Sequence, residues 1–427
     1  MINIFIVRLH STTKAYFFKT TIILITANFY LYVRIGQNRL QMMKIAIISR
    51  SLSTHSGSRA PIELAKHLVL HNQITLIVFE GEDASPLKQE LEKKGVKVIF
   101  IKTPPVVFGK WFGSLKLLPY LKGQDIISFH GTFPVFLVAK LSRIPIVKTY
   151  YGTQLDAYLE RFLPGQKLNL INHLLNFLGN RLILYTERVS FSLASEVIGI
   201  SRYTSGEAKK LYGRKIPYIH LGVNLPSLNK SSIINHKRGL LLRNKSSVIT
   251  ILSVSRFTPY KGFHRLIEVF KDVSQKFPNI KLILVGSAPN LNYLNYLKKL
   301  SKNFNIQIIP NLPDEELTKL YQEADIYTTC DRYLFFGLPP LEAALFSKPS
   351  LALNYCAASE IIYNNKTGLV ANNLEEFKKD LILLIRDERL RINLGKQAQK
   401  KVVKYFNLNN TVNSYEKLLS KYVKTKN

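Results

Sequence analysis

Cysteine is nearly absent from the chain: Cys330 and Cys356 are the only two in 427 residues. That excludes a disulfide scaffold and a thiolate zinc site. The nine histidines form no closely spaced ligand cluster, and no metal motif is visible. Acids are scarce too. There are 28 Asp and Glu against 60 Lys and Arg, a formal net charge of +32. Such a charge speaks of partners, not of fold. It favours something anionic: a phospholipid surface, nucleic acid or a phosphorylated substrate. No short-period repeat runs through the sequence. Apolar residues at 46% and charged residues at 21% exclude a mostly disordered chain. The length suits about two to three domains.

Long apolar runs are equally rare, and the notable one comes early. Ala15–Val33 has 19 residues, interrupted by Lys19, close to the roughly 20 that span a bilayer. Met42-Met43-Lys44 then opens into Ile45-Ala46-Ile47-Ile48, a natural start for a buried strand. Residues 1–42 therefore read as a membrane anchor, a cleaved signal, or a stretch ahead of the true start.

From Lys44 the pattern is strand, loop, helix, repeated. Ile45–Ser49, Ile74–Phe79, Val96–Ile101, Ile126–Phe129 and Ile146–Thr149 are short apolar runs between helical stretches. The series resumes at Ile249–Val254, Lys281–Val285, Ile306–Ile309, Ile326–Thr328 and Ser350–Leu353. Short buried runs alternating with helices predict parallel βαβ units. Between the two series, residues 225–247 carry Lys230, Lys237, Arg238, Arg243 and Lys245 and no acid, a basic linker. The expected organisation is an α/β domain over 43–224, the linker, a second α/β domain over 248–406, and a C-terminal helix within 407–427. Such a pair places a ligand in the cleft, at the carboxyl ends of the strands.

Three motifs fall at those ends. Ser56-Gly57-Ser58-Arg59 precedes a helix starting near Pro61. Gly57 would let the backbone approach a phosphate, although a plain strand-to-helix turn reads the same. Arg256 follows the strand Ile249–Val254, and Lys261-Gly262 precedes a helix over Phe263–Phe277. An Arg fork and a Lys point charge can clamp a diphosphate; surface solubility is the plainer alternative. Phe336-Gly337-Leu338-Pro339-Pro340-Leu341-Glu342 puts one carboxylate in an apolar helix. Buried unpaired it would be costly, so it needs ligand hydroxyls or an internal ion pair.

In order along the chain, these fragments resemble the retaining glycosyltransferases of family 4, which have the GT-B fold: two Rossmann-like domains facing across a cleft. The likeness runs over about Met43 to Phe406. It includes Ser56-Gly57, Glu196-Val197-Ile198-Gly199-Ile200-Ser201, His220-Leu221-Gly222-Val223-Asn224, Ser255-Arg256 with Lys261-Gly262, Leu284-Val285-Gly286, Phe336–Ala343 and Lys366–Val370. The resemblance implies transfer of a sugar from a nucleotide-sugar, UDP- or GDP-linked, to an acceptor hydroxyl with retention at the anomeric carbon. Arg256 and Lys261 would stabilise the departing diphosphate. Glu342 would accept from the ribose hydroxyls, Gly337 and Leu338 would offer backbone N–H groups, and Gly57 would meet the diphosphate from the other domain. Neither a cofactor nor a metal is implied; no Asp-x-Asp pair is found.

Two positions depart from the family pattern. Leu334 stands where the family has a Glu that touches the donor sugar; Asp331 is the nearest acid and could substitute, or pair with Arg332. Tyr150-Tyr151-Gly152-Thr153 stands where the family often has His before Gly, and His130 at an earlier strand end is the candidate to line the cleft instead. Lys110–Tyr120 and Arg161–Arg188 mix cations with large apolar groups, suiting an anionic membrane face. Together with the charge this points to a lipid-linked or membrane-proximal glycan as acceptor, at the cytoplasmic face of a membrane. No nucleic-acid module is found. A non-catalytic or regulatory homologue that binds nucleotide or a partner subunit is the alternative, motivated by Leu334 and the missing His.

Overall fold

The computed structural model describes residues 42–52, 59–80, 85–102, 113–156, 158–159, 162–224 and 248–423. The apolar run at 15–33, the turn holding Gly57, the linker at 225–247, and Lys110, Trp111, Phe112 and Arg161 lie outside them.

The apolar runs are strands, all parallel and mostly buried on both faces, as continuous Val, Ile and Leu runs require; Ile306–Pro310, at a sheet edge, stays partly exposed. The first sheet contains β1 (Lys44–Ser51), β2 (Gln73–Glu80), β3 (Lys97–Phe100), β4 (Ile126–His130), β5 (Ile146–Tyr150) and β6 (Glu196–Gly199). Its order is β3-β2-β1-β4-β5-β6. Ile45 stands between Ile74 of β2 and Ile126 of β4. The second sheet contains β7 (Ile249–Val254), β8 (Ile280–Gly286), β9 (Ile306–Pro310), β10 (Ile326–Thr329), β11 (Ser350–Leu353) and β12 (Gly368–Ala371). Its order is β12-β11-β10-β7-β8-β9. Each half is thus doubly wound. The strand order reverses at β1/β4 in one half and at β7/β10 in the other, and a ligand crevice opens outside the carboxyl ends there.

Four helices position the site. Helix α1 (Arg59–Leu68) follows β1 and buries Ile62, Leu64, Ala65 and Leu68. Helix α2 (Leu170–Leu193) leads into β6. Helix α3 (Leu338–Leu345) lies after β10 and buries Leu341 and Glu342 alike. Helix α4 (Leu408–Ser420) returns to the first half, where Leu408, Val412, Tyr415 and Leu419 join the core around Ile45 and Ile47. Between the halves, Ala60, Ile200 and Leu221 pack with Leu334, Phe336 and Leu341. Among the described residues no helix is long and apolar enough to cross a membrane.

Candidate active site

A cleft of about 400 Å³ opens between the halves. Arg59, Tyr151, Gly152 and Gln154 line it from the first, and Arg256, Tyr260, Lys261, Asp331, Gly337, Leu338 and Glu342 from the second. The second sheet explains the convergence. Arg256 lies just past the carboxyl end of β7 and Asp331 just past that of β10, the two strands flanking the reversal.

The Lys-Gly step has a backbone reason. Gly262 has φ +73°, and a Cβ there would lie 2.3 Å from the carbonyl oxygen of Cys330. Only glycine tolerates both, so the turn packs directly on the strand end carrying Asp331. The Arg332 amide donates to the Tyr260 carbonyl at 3.0 Å and closes the arrangement.

The cations are held differently. Lys261 Nζ donates to Asp331 Oδ2 at 2.5 Å and lies 5.1 Å from the centre of the Tyr260 ring. Asp331 also accepts from the Tyr333 amide at 2.9 Å. Its ion-pair partner is therefore Lys261 and not the neighbouring Arg332. Arg256 donates to the Tyr260 hydroxyl. Its Nε is buried and has no hydrogen-bond partner among the described residues. A buried donor without an acceptor is costly; an anionic ligand in the cleft would satisfy it.

Gly337 caps the start of α3 with φ +103°, and a Cβ would crowd Leu334 and Ile361. The first-turn amides of a helix lack intrahelical partners. Pro339 and Pro340 have no amide hydrogen, so Leu338 carries the free donor of that turn's first three residues. One turn on, Glu342 forms an ion pair with Arg59 of α1 and accepts from the Tyr321 hydroxyl at 2.8 Å. The carboxylate that needed a partner has two within the protein. Glu342 raises the pKa of Arg59, outweighing burial. Burial and then Glu342 hold the Tyr321 phenol well above its ordinary value, so it remains a donor.

His130 ends β4 but is not part of the cleft wall. Its Nδ1 is 2.8 Å from the Tyr151 hydroxyl, and its Nε2 is 2.9 Å from Ser128 Oγ. Tyr151 lines the cleft in front of it. Burial, and then Lys148, push the His130 imidazole down to about 3, so it is neutral at ordinary pH. Leu334 reaches the cleft but is 5% exposed and packs in the apolar cluster between the halves. Arg59 and Tyr151 stand within stretches singled out from the sequence but have no role assigned there, and nothing local marks Tyr321, since its partner Glu342 comes from a different element.

Two doubly wound parallel α/β halves around a cleft lined by basic and acidic groups define the GT-B fold. Residues 58–226 match the family model Glycosyltransferase Family 4, and residues 240–401 match Glycosyl transferases group 1. An alpha-monoglucosyldiacylglycerol synthase of Acholeplasma laidlawii is 25% identical over 297 residues, 64% of this chain and 70% of the relative. The capsular polysaccharide biosynthesis glycosyltransferase CapM of Staphylococcus aureus is 28% identical over 240 residues, 52% of this chain and 61% of the relative. The crystal structure of Anabaena Alr3699/HepE in complex with UDP and glucose shares the fold, with a TM-score of 0.69 and 19% identity over 89% of this chain and 100% of that one. The chain belongs to the family 4 glycosyltransferases of the GT-B fold, and it is an enzyme that transfers a sugar.

Proposed function

We propose that the cleft binds a UDP- or GDP-linked sugar and transfers the sugar, with retention, to a hydroxyl of a lipid-linked or membrane-proximal glycan at the cytoplasmic face of a membrane. The observation that carries this is Arg256. It lies beside the reversal point of the second sheet, with a buried Nε that lacks an acceptor. In the transfer, the bond from the anomeric carbon to the phosphate oxygen breaks and a bond to the acceptor oxygen forms. The departing phosphate oxygen takes the bond's electron pair and the negative charge, and then accepts the proton that the acceptor hydroxyl gives up. Arg256 and Lys261 meet that charge as it develops, in a site where fixed cations are worth more than in water. Lys261 is held for this by Asp331, Leu338 offers its amide, and Glu342 receives the ribose hydroxyls beside Arg59. His130 acts behind the wall, orienting Tyr151. The acceptor class is supported by relatives whose names refer to a glucosyldiacylglycerol and to capsular polysaccharide.

Thermal shift with UDP-, GDP- and ADP-sugars tests the donor. One nucleotide class should stabilise the protein, and Arg256→Ala should abolish the shift. No shift with any donor would overturn the reading.

A further inference from the structure

Over its first four turns helix α2 presents most of its large apolar side chains to solvent and buries Asn176 against the protein; only near its end does an apolar side chain, Phe191, turn into the core. Over Leu170–Leu193, Leu170, Ile171, Leu174, Phe177, Leu182 and Tyr185 are between 53% and 83% exposed. The inward side is polar. The Asn176 and Asn180 amides donate to Asp156 Oδ1 at 2.7 and 3.1 Å, and the Asp156 amide donates to Asn180 Oδ1 at 2.9 Å. A surface helix of a globular protein does the opposite, and a contiguous exposed apolar face of this kind marks an interaction site.

Charge identifies the partner. Arg181 is exposed and lies 5.1 Å from the Phe177 ring, and Arg188 is exposed further along the helix. The helix has one acid, Glu187, and it turns to Lys148 at 3.3 Å. The outward face is therefore apolar, flanked by cations and free of acid. That matches an anionic bilayer, where apolar side chains enter the headgroup region and cations meet phosphate. A second copy of a chain with net charge +32 would bring like charges together.

We propose that the outward face of α2 inserts into the surface of an anionic phospholipid bilayer. Asp156, which α2 grips, belongs to the segment whose Tyr151, Gly152 and Gln154 line the cleft. The Tyr333 hydroxyl ties Leu155 of that segment to the other wall at 2.6 Å. Docking thus sets the cleft beside a membrane-borne hydroxyl; this last step, though not the docking, rests on the transfer proposed above.

The test uses the full chain and vesicles of phosphatidylcholine with or without phosphatidylglycerol. The triple variant Leu174→Ser, Phe177→Ser and Leu178→Ser should lower binding to phosphatidylglycerol vesicles by about tenfold or more and leave donor hydrolysis in solution unchanged. Phe177→Trp reports insertion directly, after subtraction of wild-type emission. Its emission should shift to the blue on phosphatidylglycerol vesicles and be quenched by brominated lipid. Tyr405→Trp, at an exposed position on the helix Glu388–Tyr405, should not respond. Unquenched Phe177→Trp emission overturns the proposal whatever the affinity. So does a blue shift without lipid accompanied by dimer sedimentation. Absence of sugar transfer by the wild type would overturn the transfer reading and leave this test standing.

Discussion

Arg59 at the start of α1 and Glu342 within α3 form an ion pair across 283 residues of sequence, one from each half of the molecule. Their side chains are 31% and 12% exposed, so removing one leaves the other poorly solvated. Arg59→Met and Glu342→Gln should each cost about 1–3 kcal/mol in urea unfolding. The double variant should cost clearly less than the sum, since no charge is then stranded. Strict additivity would mean that the pair does not join the halves. In the same variants, Glu342→Gln should weaken free nucleotide and nucleotide-sugar binding alike, because the ribose is common to both.

Arg256→Ala or Lys261→Ala should lower turnover by about 100-fold or more, the scale of a lost contact to developing leaving-group charge. The two differ in stability. Lys261→Ala strands Asp331, whose side chain is 4% exposed, whereas Arg256→Ala removes a group with an unsatisfied donor. Lys261→Ala should therefore melt lower than Arg256→Ala. Adding Asp331→Asn should restore the melting temperature without restoring turnover. Near-normal rates in both single variants would remove the diphosphate assignment.

The strands were legible because parallel strands buried on both faces leave short continuous apolar runs, such as Ile45–Ile48 and Ile249–Val254. Lys261-Gly262 was legible because a close approach to Cys330 requires glycine at a fixed place. Pairings were not. Asp331 has Arg332 beside it in sequence but bonds Lys261, 70 residues away, because the reversal of strand order sets β7 beside β10. Glu342 was marked as needing a partner, yet no local signal names Arg59. The stretch ending at Arg188 read as basic and amphipathic, but composition does not say which side faces out. It is the grip of Asn176 and Asn180 on Asp156 that turns the apolar side outward.

His130 lies behind Tyr151, and its lowered pKa of about 3 fixes two outcomes. An unfolded chain protonates this imidazole near its ordinary value of about 6.5, while the folded chain resists until about 3. The unfolded state therefore binds more protons in that window, and stability falls as pH drops through it. His130→Gln should make the loss of stability between about pH 6.5 and about pH 4 shallower, read from urea midpoints. It should leave the pH profile of kcat/KM between about 5 and 8 without a lost limb. A limb that disappears in the variant would show that His130 titrates during catalysis.

Leu334 and Asp331 bear on how the donor sugar is read. Leu334 is packed against Phe336, Leu341 and Ile361, so a carboxylate placed there would be desolvated among apolar groups before it met any sugar. Leu334→Glu should melt lower than wild type and transfer no faster. Asp331 lies on the cleft wall with Lys261 on one oxygen and the Tyr333 amide on the other, and each carboxylate oxygen has a second lone pair to offer a hydroxyl. Asp331→Asn should lower turnover with the sugar donor by about tenfold, the scale of a hydrogen bond to a charged group. Affinity for free nucleotide should hold or rise, because Lys261 is released toward the phosphates. Donor hydrolysis and calorimetry on the two variants in parallel decide the matter. A gain of activity in Leu334→Glu would mean that the side chain can turn from the apolar cluster into the cleft, and that this position, not Asp331, contacts the sugar.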